Sequence, residues 1–203
     1  MGNTGVTEIS AQEHRPMKIG KPDRYVQWPE NFGSRFLISV DTEEEFDWDA
    51  PFQRSGHTTV SVPMLRKFQE FIEKYHVRPA YFVDYSIITD DDAVAFLRTV
   101  AERETAEIGV HLHPWVNPPF DEQVNVHNSF AGNLPKELEE EKLVALRDAI
   151  RDKIGIRPTI YRAGRYGIGP HTTGLLRKHG FVLDSSIRSR FDYSGEGGPD
   201  FLA

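Results

Sequence analysis

From residue 36 onward the chain alternates between two hydrophobic patterns. Short apolar runs occur at residues 36–42 (FLISVDT), 79–85 (PAYFVDY), 107–113 (EIGVHLH), 159–166 (TIYRAGRY) and 181–187 (FVLDSSI). Between them, apolar residues recur every third or fourth position. Residues 63–75 carry Leu65, Phe68, Phe71, Ile72 and Tyr75, with Pro63 suited to a first helical turn. Residues 89–103 carry Val94, Leu97, Val100 and Ala101, with Thr89 as the expected cap and Asp92 three residues on. A long charged helix is expected from Asn133-Leu134-Pro135, with Leu143, Leu146, Ile150 and Ile154 facing in and Gly155 ending it. Residues 170–179 predict a short helix stopped by Gly180. Strands that are mostly continuous in apolar character, each followed by a helix, predict an α/β fold with a parallel sheet. Right-handed crossovers put all strand C-termini on one side, where the chemistry of such folds sits.

The polar residues agree with that placement. Asp41, Asp84, His111, His113, Arg162 and Asp184 all fall at or near the ends of their strands. The first strand breaks into Asp41, Glu43, Glu44, Glu45, Asp47 and Asp49, and carboxylates at a buried strand end need a partner. Residues two apart on a strand point the same way, so His111 and His113 can face one point, as can Asp41 and Glu43. Two imidazoles and two carboxylates on neighbouring strand ends suit Zn²⁺ or another divalent transition metal. A carboxylate that does not ligate can then take a proton from water. Glu44, Glu45, Asp47 and Asp49 read as a solvated loop. His76 and His179 sit at helix C-termini; His14, His57, His127 and His171 read as loop residues, with His57 as a spare ligand.

Arg162, at the end of the fourth strand, needs an anion, and the carboxylates of the first strand are the obvious one, so that Arg162 can hold Asp41 ionised and oriented. Asp184 is expected to join this network in a structural role. A backbone N–H after Tyr166, or in the loop after the first strand, is the expected oxyanion donor. The nearly patternless stretch 114–132 carries Trp115, Phe120 and Phe130 with Asn117, Asn125 and Asn128. Aromatics beside amides suit a sugar-like ligand. Trp115 is a candidate substrate contact, together with Arg165 and Tyr166 on the fourth strand's exit.

Composition narrows the partners. At 203 residues the chain is one domain with room for a core. A net charge of −7 argues against nucleic acid and anionic membranes. The absence of cysteine excludes disulfides and thiolate metal sites. No apolar run is long enough to span a membrane and no leader is visible, so a cytoplasmic location is expected.

In chain order, ISVDTEEEF, EIGVHLHPW, YRAGRYG and LDSSI resemble the first four motifs of the polysaccharide deacetylase (NodB-homology) superfamily, over roughly residues 36–187. The resemblance implies a distorted (β/α)7-type barrel, of which about five strand–helix units are present. It implies removal of N- or O-acetyl groups from carbohydrates with one divalent metal, zinc first and cobalt, nickel or manganese as alternatives. Asp41 then matches the catalytic base, His111 the first metal histidine and Arg162 the arginine that orients the base. The chain departs from the pattern in places. Thr42 stands where a second Asp is usual, Trp115 stands where the second histidine is usual, and the arginine motif carries an extra residue. The last motif, with a general-acid histidine, would lie beyond Ala203.

The expected assignment is therefore Asp41 and Arg162 as catalytic and Glu43, His111 and His113 as metal ligands. The split of base and ligand between Asp41 and Glu43 stays open. Residues 1–34 read as an N-terminal extension pinned by Tyr25, Trp28 and Phe32. Residues 35–203 read as a NodB-like domain truncated at its C-terminus. The expected function is a metal-dependent hydrolase that deacetylates a carbohydrate. Alternatives are a C–N hydrolase of a small cyclic or linear amide and a non-catalytic carbohydrate-binding barrel. The oligomeric state is undetermined.

Overall fold

A computed structural model describes residues 27–202. Five strands form one sheet in chain order: β1 (Ser39–Thr42), β2 (Ala80–Val83), β3 (Glu107–Leu112), β4 (Ile160–Ala163) and β5 (Leu183–Asp184). All neighbouring pairs are parallel. Helix α1 (Val62–Glu73) joins β1 to β2, and α2 (Tyr85–Thr89) and α3 (Asp91–Glu102) join β2 to β3. Helix α4 (Lys136–Ile154) joins β3 to β4, and α5 (Thr172–Lys178) joins β4 to β5. The architecture is thus the expected α/β one, with four strand–helix units and a fifth strand among the described residues. Among the described residues the sheet is open, with β1 and β5 at its edges. No helix among them is long and apolar enough to cross a membrane.

Strand alternation gives the sheet two unlike faces. Tyr81, Val83, Ile108, Val110 and Leu112 pack with Leu97, Val100, Leu146 and Ile150 into the main core. Each such buried aliphatic or aromatic side chain contributes ~1.5–3 kcal/mol, so this face holds most of the stability. On the other face, a cavity of about 420 Å³ lies between Leu37, Ser39, Phe82, Ile160, Arg162 and Leu183.

Several elements differ from the sequence expectation. The ladder of β1 begins at Ser39, and Phe36 and Leu37 are exposed. Ala80 N donates to Ile38 O at 3.0 Å, and the preceding Pro79 has no N–H to extend the pairing. In α1 the buried residues are Val62, Gln69 and Ile72, while Phe71 and Tyr75 face solvent and pack on each other at 5.3 Å. Gln69 takes the inward position because its Oε1 accepts from Tyr81 Oη at 2.7 Å. The helix expected over 89–103 forms as α3 but is capped by Asp90 rather than Thr89, which instead ends a separate short helix, α2, that precedes it. Asp84 caps α2 by accepting from Ile87 N, and Asp90 caps α3 by accepting from Ala93 N, each at 2.8 Å. Trp28 is 64% exposed and stacks on Phe32 rather than on the sheet; Tyr25 lies outside the described residues.

Helix α4 ends as expected at Gly155, whose φ of 88° is the left-handed cap glycine favours. Its middle carries a fully buried lysine. Lys142 Nζ donates to the carbonyls of Pro114, Asn117 and Pro119 at 3.0, 2.7 and 2.6 Å and pairs with Glu122 at 2.9 Å. Burial lowers its pKa, and Glu122 acts in the opposite direction. The long segment after β3 is therefore tied to α4, with Trp115, Asn117 and Phe130 buried.

Candidate metal centre

The ends of β1 and β3 bring three donor atoms together. His111 Nε2 lies 2.9 Å from Glu43 Oε2, His113 Nε2 lies 3.2 Å from the same oxygen, and the two Nε2 atoms are 3.1 Å apart. The other ring nitrogen of each histidine has its own partner. His111 Nδ1 is 3.1 Å from the carbonyl of Arg162, which fixes Nδ1 as the donor. His113 Nδ1 is 3.0 Å from Glu44 Oε2. With both Nδ1 atoms protonated, two imidazole lone pairs and a carboxylate oxygen face one point. Such a cluster needs a proton or a cation between its members. Two imidazoles and one carboxylate, each histidine oriented through its second nitrogen, fit a divalent transition metal.

Glu43 and Glu44 are adjacent yet serve opposite sides of His113. The chain leaves the sheet at Thr42, so strand alternation no longer governs them and both turn inward. Glu44, expected in a solvated loop, is instead 2% exposed. Its Oε1 accepts from Trp115 Nε1 at 2.8 Å, and its backbone N–H donates to Asp84 Oδ2 at 3.3 Å. Burial raises the Glu43 carboxyl, but hydrogen bonds from His111 and His113 more than offset it and hold it well below its ordinary value. Burial likewise opposes ionisation of Glu44, and the charge of His113 overcomes it. Asp84 goes the other way. Fully buried beside Glu44, its carboxyl is pushed well above the usual range. Burial disfavours the His113 cation, yet the charge of Glu44 and the two glutamate hydrogen bonds raise its pKa well above ordinary.

The arginine stands where it is needed to hold the strand 1 aspartate. Arg162 Nη1 donates to Asp41 Oδ1, and Nη2 donates to Ser39 Oγ at 3.0 Å and Ser185 Oγ at 2.8 Å. The guanidinium lies 4.3 Å over the Phe82 ring. Asp184 does not join this network; its Oδ1 accepts from Ser186 N and Oγ, and Ser185 takes the place beside Arg162.

β4 gives way after Ala163 to a tight turn in which Arg165 and Tyr166 have φ of 53° and 58°. Two consecutive non-glycine residues in the left-handed region are strained, a feature that clusters at functional sites. Gly164 opens the turn because His113 fills the space beside it. A Cβ there would lie 2.3 Å from His113 Cδ2 and 2.7 Å from Leu112 O. The N–H after Tyr166 is committed, since Gly167 N donates to Gly164 O at 3.0 Å. It is therefore not the oxyanion donor expected there.

A cleft of about 320 Å³ opens over these groups, with Asp41, Glu43, His111 and His113 on its floor. Arg165 and Tyr166 line it as expected, and Trp48, Arg188 and Tyr193 join them. Trp115 does not line it. The ring stacks behind His113 at 4.4 Å, its N–H spent on Glu44, so its part is to support the histidine rather than to touch substrate. The aromatic rim residue is Trp48, 53% exposed and edge-on to His113 at 6.4 Å. Phe120 and Phe130 also lie off the cleft. Phe130 is buried, and Phe120 is partly exposed, with the cations of Arg54 and Lys142 5.0 and 5.6 Å from its ring centroid. His57 lines a separate pocket on the far side of Glu44 and Trp115 and does not reach the cluster.

Sequence reasoning places Asp84 at a strand end without a partner, misreads Glu44 as solvated, and misses Trp48, Arg188 and Tyr193. One signal was available for Glu44. Trp115 follows His113 at a spacing of two, and a buried indole N–H requires an acceptor.

No family model matches the chain, and a search of curated proteins finds no match. Among solved structures, the chain is similar to a protein from Mycobacterium smegmatis assigned as a polysaccharide deacetylase, at 26% identity and a TM-score of 0.47, over 63% of this chain and 38% of that one. It is similar to the chitin deacetylase from Colletotrichum lindemuthianum at 16% identity and a TM-score of 0.49, over 73% and 54%. It is also similar to a family 4 acetyl xylan esterase from Clostridium thermocellum, solved with cobalt, at 14% identity and a TM-score of 0.46, over 75% and 57%. The chain thus spans well under two thirds of the length of each of these proteins.

Proposed function

We propose that this chain is a metal-dependent hydrolase that removes acetyl groups from a carbohydrate. The observation that carries this reading is the convergence of Glu43 Oε2, His111 Nε2 and His113 Nε2 on the floor of a cleft, beside an aspartate held by an arginine. The motif resemblance points to the same chemistry. Glu43, His111 and His113 would hold the metal, which when bound polarises an acyl oxygen and lowers the pKa of a water.

The remaining roles follow from this chain's own groups. Glu43 faces the two histidines while Asp41 faces Arg162, which divides ligand from base: Glu43 is the ligand and Asp41 the base. Asp41 accepts a proton from the attacking water at a carboxylate oxygen. Arg162 fixes the orientation of Asp41 through its Nη1 and is itself anchored by Ser39 and Ser185, so the base cannot swing toward the ligand cluster. Trp48 and Tyr166 offer ring faces to a sugar at the cleft rim. Among the described residues no further histidine lines the cleft, so the leaving-group proton comes from another source.

Two measurements test this. The chain is loaded with Zn²⁺, Co²⁺ or Ni²⁺, and metal content is compared with that of His111→Ala and His113→Ala. Acetate release is followed on acetylated chito- and xylo-oligosaccharides and on a panel of small cyclic and linear amides. Stoichiometric metal lost in both variants, with acetate released from a saccharide, is expected. Asp41→Asn should keep the metal and lower the rate by ~10²–10⁴-fold. Unchanged metal content in both histidine variants sinks the reading, and turnover confined to the amides redirects it.

A further inference from the structure

The cleft holds an arginine that neither the metal cluster nor the base requires. Three arginines stand around the site, and two are neutralised. Arg162 is paired with Asp41, and Arg165 is paired with Glu196 and donates to Ser129 Oγ at 2.6 Å. Arg188 also lines the cleft, and among the described residues it makes no ion pair. Its guanidinium lies 3.6 Å from the Phe191 ring centroid and 5.4 Å from that of Tyr166. Nη1 donates to Tyr193 Oη at 2.8 Å.

A guanidinium has five N–H donors, and the described residues engage Arg188 through one nitrogen. The two rings and the tyrosine hydroxyl hold it in place, so little side-chain freedom is lost when it meets a ligand. The carboxylates of the cleft do not compete for it, since Asp41 is answered by Arg162 and Glu43 by the two histidines. The same wall carries Tyr166 and Tyr193, with Trp48 also lining the cleft. The volume, about 320 Å³, suits a small ligand such as a sugar unit. A held, unpaired cation beside aromatic faces in a sugar-sized cleft is a complement for a sugar that bears a negative charge.

We infer that the saccharide taken by this cleft is acidic and that Arg188 receives its carboxylate. The inference rests on the reading of the cleft as a saccharide site and names the class of saccharide. A charge-assisted hydrogen bond of this kind is expected to favour the acidic sugar by roughly ten- to a hundredfold.

The test uses a matched pair of ligands, a partly acetylated oligouronate and the same oligosaccharide with its carboxyl groups reduced to alcohols. Affinity is measured by calorimetry on the full chain loaded with Zn²⁺, and acetate release is followed separately. The unsubstituted chain should prefer the acidic member by at least tenfold. Arg188→Gln should bring the ratio of the two affinities close to one, whatever it does to the neutral member alone. Arg188→Lys, which keeps the charge but not the planar fork, should retain part of the preference. Equal affinities for the two ligands, or binding of neither, overturn the inference. So does an Arg188→Gln chain that weakens toward both ligands while keeping the ratio, because Arg188 would then only brace the tyrosines. Acetate release from the neutral member without discrimination removes this inference and leaves the hydrolase intact. Discrimination in binding with acetate released from neither member removes the hydrolase and leaves the acidic subsite.

Discussion

Glu44 and Glu139 are buried to the same extent, each 2% exposed, and they behave oppositely. Glu44 sits beneath the candidate metal centre against His113 and Trp115 and is held ionised. Glu139 sits on α4 facing Thr172, whose hydroxyl donates to its Oε1, and its other oxygen has no hydrogen-bond partner among the described residues. Burial pushes the Glu139 carboxyl up to about 7, and the Thr172 hydrogen bond only partly opposes it. Burial is common to both, so the partner decides the charge. An imidazole that can carry a proton supports a buried carboxylate, and a hydroxyl does not. The candidate metal centre is therefore the part of the core in which full ionic charge is sustained by its neighbours, while the α4–α5 contact is neutral until the pH rises.

That contrast is most strongly tested by removing the imidazole. His113→Ala leaves Glu44 as a buried charge without its partner, and a loss of ~3–5 kcal/mol in stability is expected by urea denaturation, together with loss of the metal. If the variant unfolds no more readily than the parent, Glu44 is not sustained by His113. Next in size, Glu44→Gln keeps the shape but cannot hold the His113 Nδ1–H as a carboxylate does. Metal affinity read by competition with a chelator should fall by ~10–100-fold, and an unchanged affinity would make the pair merely adjacent.

A smaller effect is expected at Glu139. Its carboxyl ionises near 4.5 in the unfolded chain and near 7 in the folded one. Between those values the folded state holds the extra proton, so this contribution to stability falls as pH rises from about 4.5 to about 7, then levels off. Glu139→Gln should flatten that part of the profile of thermal midpoint against pH. Smallest of all, Trp115→Phe keeps most of the ring stacked on His113 but removes the N–H donated to Glu44, a loss of ~1–3 kcal/mol. An unchanged melting temperature would show that Glu44 is satisfied without it.

Much of the site was legible in the sequence because strand geometry is local. His111 and His113 share a face by the spacing of two, and β3 delivers both nitrogens to one point. The Asp41–Arg162 pair followed from the cost of leaving a charge unpaired near a strand end. The errors fall where the backbone leaves the regular repeat. Glu44 reads as solvated in the sequence because alternation says nothing once β1 ends at Thr42, and it is buried. Trp115 reads as a substrate contact because an aromatic beside a site looks the same in sequence whether its face or its N–H is in use.

The sequence by itself determined the five strands with helices between them, their parallel pairing and the side of the sheet on which chemistry gathers. These depend on periodicity and on the handedness of the crossover, which are properties of the local chain. Tertiary structure alone decided which neighbour each charged group meets. Two adjacent glutamates serve opposite nitrogens of one histidine, one arginine of the cleft is left without a carboxylate among the described residues, and a glycine 51 residues from His113 makes room for its ring. Those outcomes rest on ångström-scale distances between segments far apart in the chain. Coulomb and hydrogen-bond energies depend on such distances, and no pattern along the sequence encodes them.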